Sequence, residues 1–255
     1  MLKWDQIHES SLPFHAGGGR GSPRFVPFRR AENAAGLAAM MALISRQAAP
    51  ARIGAEALPA LIALPSEAKG LVILAHGPGE SRFSPASSLL ADGLHAQGMA
   101  TVLLDLLHPG EEQDMPVPDL ALLAARLFSA VEWISGTAGI DHLPIGYCGA
   151  GHGAQAAILA ASGPDRRIHA IIILGGHFGM AGPLALARIR APVQVIAGSR
   201  DLSGAAAGRA ASAHLTCTHE VVTITGAGQE LEEPGTLRQV IDHMNRWFSA
   251  HFPRL

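Results

Sequence analysis

Seven short apolar runs constrain this chain more than anything else in it. They lie at 60–64 (ALIAL), 71–75 (LVILA), 100–104 (ATVLL), 143–148 (LPIGYC), 170–174 (AIIIL), 192–197 (PVQVIA) and 220–224 (EVVTI). Most are apolar throughout rather than alternating, as strands covered on both faces must be. Helical spacing fills the later intervals, at 86–97, 119–135, 152–162 and 235–250. In the second of these, Leu120, Leu123, Leu127, Val131 and Ile134 share one side. In the last, Leu237, Val240, Ile241, Met244 and Trp247 do so. Strands alternating with helices predict the α/β class, a mostly parallel doubly wound sheet with helices on both faces. The 255 residues suit one large domain of this kind, and the 48% that are hydrophobic can fill its core.

Residues 1–50 stand outside this rhythm and read as an N-terminal arm and helix, packing on or over a domain of residues 51–255. The stretch "HAGGGRGSPRFVPFRR" sets Arg20, Arg24, Arg29 and Arg30 around Phe25 and Phe28. It suits a solvated arm, or one folded over the mouth of a pocket. Residues 31–47 carry strong helix formers with a stripe at Leu37, Met40, Met41 and Ile44, and Pro50 fits a stop after them. A net charge of −2 gives no case for nucleic acid or an anionic membrane. No uninterrupted apolar run approaches the roughly 20 residues of a membrane span. The opening "MLKWDQIHESS" lacks the regions of a secretory signal, and Cys148 and Cys217 make no disulfide framework. A reducing cytoplasm is the expected setting.

In an open parallel sheet, ligands gather beyond the carboxyl ends of the strands. The residues just past each run are therefore the informative ones. They are His76-Gly77-Pro78-Gly79, then Asp105 with His108, then a glycine turn with His152, then Gly175-Gly176-His177. Gly198-Ser199-Arg200-Asp201 and Gly226-Ala227-Gly228-Gln229 follow. The glycine turn lies within "YCGAGHGAQAAILAA". It has the shape of a nucleophile elbow, G-x-S-x-G, a tight strand-to-helix bend. Here glycine, Gly151, stands where the serine would be.

This order of pieces resembles the α/β-hydrolase fold, and more narrowly the small dienelactone-hydrolase-like hydrolases, over roughly residues 58–252. "HGPGESRFSP" resembles their His-Gly loop and "DLLHPGEEQD" the segment after the next strand. "LPIGYCGAGHG" resembles their elbow, "AGSRD" their acid loop and "GAGQELEEPGTL" their histidine loop and last helix. The resemblance implies Asp201 as the acid, Gly151 at the nucleophile position and Gln229 at the base position. Glutamine's amide is not basic near neutral pH, so it cannot take up the proton. The oxyanion hole would use the N–H of His152 and one from the loop His76-Gly77-Pro78, but proline has no N–H. Loss of one such donor typically costs about 2.7–4 kcal/mol of transition-state stabilisation. The implied molecule is an α/β-hydrolase-fold protein without the serine and histidine of the triad, binding or transforming a small molecule by another route.

Other readings of the same residues stand beside this one. Dienelactone hydrolases use a cysteine in a turn that "GYCGAG" superficially matches, which would make Cys148 the nucleophile of an active hydrolase. In that register Ala150 replaces a glycine and the helix begins three residues late. Cys148 then reads as a small apolar residue ending a buried strand. His76, His108, His152 and His177 each follow a strand end and could converge on a metal or haem, with His152 and His177 leading. No HxH, HxxxH or HExxH spacing supports them. Asp201 suits a turn cap, an ion pair with Arg200 or Arg209, or a base in the pocket. Glu111, Glu112 and Asp114 read as a solvated acidic loop. Trp133 and Trp247 read as core. A partner held by the basic arm is the remaining reading, and homo-oligomerisation stays open.

Overall fold

The computed structural model describes residues 48–113, 117–165, 167–176, 178–231 and 233–255. The expectations for residues 1–47, for Asp114 and for His177 lie outside them.

Eight strands form one sheet: β1 (Ala49–Ile53), β2 (Leu58–Ala63), β3 (Leu71–His76), β4 (Ala100–Asp105), β5 (Ile145–Ala150), β6 (Ile168–Leu174), β7 (Val193–Gly198) and β8 (His219–Ile224). Their order is β1-β2-β4-β3-β5-β6-β7-β8. The pairs β1–β2 and β2–β4 are antiparallel, and every pair from β4 to β8 is parallel. This is the α/β-hydrolase fold, and all seven apolar runs fall within or overlap its strands. The strand missing from the sequence reading is β1, which contains Pro50. Proline lacks the N–H of a ladder donor and is tolerated on an edge strand, where β1 lies. Pro50 therefore sits inside a strand.

Among the described residues, five α-helices lie between strands and a sixth follows β8: α1 (Pro85–His95), α2 (Leu120–Ser135), α3 (Gly151–Ala161), α4 (Pro183–Arg188), α5 (Leu202–Ser212) and α6 (Thr236–His251). Alternate residues of each central strand feed two cores. Ile73, Tyr147 and Ile171 pack with Leu123, Leu127, Val131 and Ile134 of α2 and Ile158 of α3. Val72, Leu74, Cys148 and Ile172 pack on the other face with Leu90 and Leu94 of α1 and Val240, Met244 and Trp247 of α6. Each fully buried Leu, Ile or Val is worth about 1.5–3 kcal/mol of transfer free energy. Asp119 starts α2 by accepting the N–H groups of Ala121 and Leu122, both at 3.0 Å. Among the described residues, no helix is long and apolar enough to cross a membrane.

Candidate functional site

The bend between β5 and α3 is as tight as its glycines allow. A β-carbon on Gly153 would lie 2.1 Å from the Ala75 carbonyl oxygen, and one on Gly149 would lie 2.7 Å from the Ala154 nitrogen. Only residues without side chains let α3 cross β3 and β5 this closely. Gly151 stands at the bend with φ +45°. This left-handed region is unfavourable for residues with side chains. Outside its chain neighbours and the backbone of its own helix turn, a β-carbon there would find one atom within 4 Å, Glu80 Oε1 at 3.2 Å.

Cys148 lies three residues before this bend, inside β5, with 2% of its surface exposed. Burial pushes its thiol up to about 12, with the nearby Glu80 carboxylate adding to the effect. A thiol that stays protonated at neutral pH is a poor nucleophile.

A cleft of about 340 Å³ opens at the carboxyl ends of β3 and β5. Leu74, Leu90, Leu174, Leu231, Leu237 and Val240 give it apolar walls, and His76, Glu80, Ser84, Ser87, Gln229 and Glu230 give it polar ones. The cleft loop is a reverse turn, closed by the Glu80 N–H donating to the Gly77 carbonyl at 3.2 Å. Pro78 and Gly79 take its central positions, with Gly79 at φ +80°. Proline followed by a positive-φ glycine is the signature of a type II turn. Two neighbouring backbone donors are occupied as well. The Gly77 N–H donates to Glu80 Oε2 at 3.3 Å, and the Gly79 N–H donates to Glu112 Oε1 at 3.3 Å. Pro78 has none to offer.

Sequence reasoning missed Glu80. Burial raises its carboxyl to about 7, against the smaller lowering effect of the Gly77 N–H, and Glu230 raises it further. The available signal was the Pro-Gly pair just before it, which turns the chain back and carries the next side chain inward.

His76 is 5% exposed and held at both ring nitrogens. Nδ1 lies 3.3 Å from the Leu104 carbonyl oxygen and Nε2 lies 2.8 Å from Ser87 Oγ. Burial lowers its pKa, so the ring is neutral at pH 7. It follows that Nδ1–H donates to Leu104 and Nε2 accepts from Ser87. Beside it, Asp105 accepts the Arg82 N–H at 2.7 Å and pairs with the Arg82 guanidinium.

The described strand-end histidines His108 and His152 do not join His76. His108 Nε2 bonds the Glu56 carbonyl at 3.1 Å, and the His152 β-carbon packs against Gly77. Neither lines the cleft. Among the described residues, no three His, Cys, Asp or Glu side chains gather as a metal site would require. His108 is drawn to a partner of its own, the Glu56 carbonyl, and the expectation for His177 lies outside the described residues.

Asp201 caps α5. Its Oδ1 accepts the Gly204 N–H at 2.8 Å and the Ser203 hydroxyl at 3.0 Å, while buried Oδ2 has no hydrogen-bond partner. Arg200 pairs with Glu233, which also accepts the Gly228 N–H at 2.7 Å. Gln229 is exposed and lines the rim of the cleft. Glu111 departs from the solvated loop expected of it. It takes Arg126 in two bonds of 2.7 and 2.8 Å and accepts the His108 N–H at 2.6 Å, which lowers its carboxyl to about 2.

No protein-family model matches the chain. Proteins of Mycobacterium tuberculosis strains CDC 1551 and H37Rv, provisionally named phosphoribosyl transferases, are 37% identical to it over 191 residues. That alignment takes in 74% of this chain and only 43% of the length of those relatives. Among solved structures, Est1E from Butyrivibrio proteoclasticus superposes with a TM-score of 0.65 at 16% identity, over 80% of this chain and 98% of that one. An alpha-beta serine hydrolase homologue from Coxiella burnetii gives 0.64 at 18%, over 79% and 96%. These two likenesses show the fold alone. A dienelactone hydrolase from Anabaena variabilis gives a TM-score of 0.76 at 34% identity, over 81% of this chain and 97% of that one. Identity at that level across nearly the whole of a solved dienelactone hydrolase, on the same eight-stranded sheet, places this chain in the dienelactone hydrolase family.

Proposed function

We propose that the cleft at the strand carboxyl ends receives a small, mainly apolar molecule, and binds or transforms it without forming a covalent bond to the chain. The observation that carries this reading is Gly151 at the bend, where the fold's nucleophile belongs. Its neighbours support it. The Cys148 thiol is held far from thiolate at neutral pH. Gln229 offers no base. The cleft keeps six aliphatic wall residues and a usable volume, so a binding function survives the loss of the attacking atom.

Phosphoribosyl transfer does not carry over from the longer mycobacterial relatives. A phosphoribosyl donor is polyanionic, whereas the ionisable wall residues are the carboxyls Glu80 and Glu230, a neutral His76 and the protonated Cys148 thiol, with no lysine or arginine among the described wall residues. Like charges facing a ligand in a low-dielectric cleft oppose its binding.

The test pairs a covalent probe with a neutral fluorescent one. Intact-mass measurement after treatment with a fluorophosphonate is expected to show no adduct. N-phenyl-1-naphthylamine is expected to brighten on binding, and Leu174→Trp, which fills the cleft, is expected to abolish that signal. A fluorophosphonate adduct on the native chain would overturn the reading. So would dye binding that Leu174→Trp and Leu237→Trp both leave unchanged.

A further inference from the structure

We infer that Glu80 acts as the general base for a water molecule beside Gly151, and that the cleft hydrolyses small uncharged acyl compounds in a single displacement. This rests on the reading of the cleft given above and names its reaction and substrate class.

The geometry begins with the empty side of Gly151. A side chain at this bend would approach Glu80, which lines the cleft. With glycine there, the space is bounded by Glu80 Oε1, 3.2 Å from the β-carbon position, and by no other atom within 4 Å outside the chain neighbours and the backbone of the helix's own first turn. A water molecule standing where the nucleophilic oxygen would stand therefore meets a carboxylate oxygen as its hydrogen-bond acceptor. Glu80 is held for the task. Its Oε2 is tied to the Gly77 N–H, and its backbone closes the turn at Gly77. Oε1 is left facing Gly151. A base must be within hydrogen-bond reach of the proton it removes, and its pKa is best matched to the working pH. Burial places the Glu80 carboxyl at about 7.

The step balances without a co-reactant. Glu80 Oε1 takes a proton from water as the water oxygen bonds to the carbonyl carbon. The carbonyl π pair moves onto the carbonyl oxygen. The resulting tetrahedral anion reforms its C=O bond and expels the alkoxide, which takes the proton back from Glu80. Water and ester become acid and alcohol, and the carboxylate is restored. The helix α3 starts at this point with no side chain capping it, so its first-turn N–H groups are available to the developing oxyanion.

Charge selects the substrate. Glu80 and Glu230 stand on the cleft wall with no described lysine or arginine to offset them. Acyl compounds bearing a carboxylate or phosphate are disfavoured, and the carboxylate product is repelled once formed. Aliphatic walls favour a short apolar acyl chain.

The experiment uses p-nitrophenyl butyrate with the full chain, its Glu80→Gln variant and its Glu80→Asp variant. The native protein is expected to release nitrophenolate linearly, without a burst. The rate should rise with pH through about 7 and level off above it, because the base works only when ionised. Glu80→Gln, nearly isosteric, is expected to lose about 10²–10⁴-fold in kcat and the pH inflection with it. Glu80→Asp, which keeps the carboxylate, should recover part of that rate, and thermal melting verifies that both variants fold. Hydrolysis no faster than in buffer overturns the inference, as does a Glu80→Gln rate within threefold of native, or a butyryl adduct by intact mass. If hydrolysis is absent while N-phenyl-1-naphthylamine still fills the cleft, the binding reading stands and this inference alone falls.

Discussion

The Glu80 carboxylate faces Gly151, its Oε1 3.2 Å from the point a β-carbon on that glycine would occupy. A side chain placed at 151 would therefore meet two penalties at once. It would adopt a backbone with φ +45°, and it would press on a carboxylate already fixed by the Gly77 N–H. Gly151→Ser is expected to cost about 1–3 kcal/mol from the backbone alone. In a domain of this size, each kcal/mol lowers the melting temperature by about 2–4 °C. The serine hydroxyl would also displace the water proposed beside Glu80, so ester turnover should fall with stability. Differential scanning calorimetry together with the butyrate assay checks both.

Tight crossing at the elbow gives a second prediction. Gly153→Ala would drive a β-carbon to 2.1 Å from the Ala75 carbonyl oxygen, a backbone atom of a central strand that cannot rotate away. The N-terminal turn of α3 must lift off β3, and the expected loss is about 3 kcal/mol in urea denaturation. Gly136→Ala is the control. Its φ is −98°, and its β-carbon would meet nothing closer than 3.6 Å, so the change should stay within about 0.5 kcal/mol.

A third prediction concerns pH. Glu111 grips Arg126, and its carboxyl is lowered to about 2 by the hydrogen bonds from that guanidinium, opposed by its partial burial. A depressed carboxyl stabilises the folded state above its unfolded pKa of 4.5 and loses that contribution as pH falls toward 2. Glu111→Gln should destabilise the protein by about 1–3 kcal/mol at pH 7, since it strips a mostly buried guanidinium of its charged partner. The gap between variant and native should narrow steadily in denaturation series run from pH 5 to about 2. The same loop carries Glu112, which accepts the Gly79 N–H, so cleft binding should weaken alongside.

The core of the sheet was legible because a strand buried on both faces must be apolar along its length, and Leu71–His76 and Ile168–Leu174 obey that rule. The edge strand Ala49–Ile53 was not, because solvent covers one side and its Pro-Ala-Arg centre carries no such run. The elbow was legible because packing between Ala75 and Gly153 dictates glycine whatever the chemistry. Glu80 was not, since no spacing rule marks it. Its role comes from a turn that folds it over a residue 71 positions away, and from burial that sequence cannot measure. The described histidines show a related limit. Standing after a strand places an α-carbon near the cleft but leaves the ring direction to local partners, the Glu56 carbonyl for His108 and Ser87 for His76.

The last prediction rebuilds what the resemblance to hydrolases implies is missing. Gly151→Ser alone should label with a fluorophosphonate far more slowly than a variant that also carries a histidine at 229, because Gln229 cannot accept the hydroxyl proton and leaves that task to Glu80, whose Oε2 is already tied to the Gly77 N–H. Adding Gln229→His supplies an imidazole at the rim of the cleft. Asp201 remains the acid of that arrangement, with Oδ2 buried and without a hydrogen-bond partner, although Oδ1 is committed to the cap of α5. The double variant is expected to label slowly and only at position 151, as peptide mapping by mass spectrometry would show. Its rate should stay about 10²–10³-fold below that of an intact serine hydrolase, the usual consequence of one absent oxyanion donor. Pro78 is the reason, because it has no N–H and the adjacent Gly77 and Gly79 groups already donate to Glu80 and Glu112. Adding Pro78→Ala should recover part of that deficit. Equal labelling of the single and double variants would show that a base other than the residue at 229 serves this bend, and Glu80 would be the first to remove.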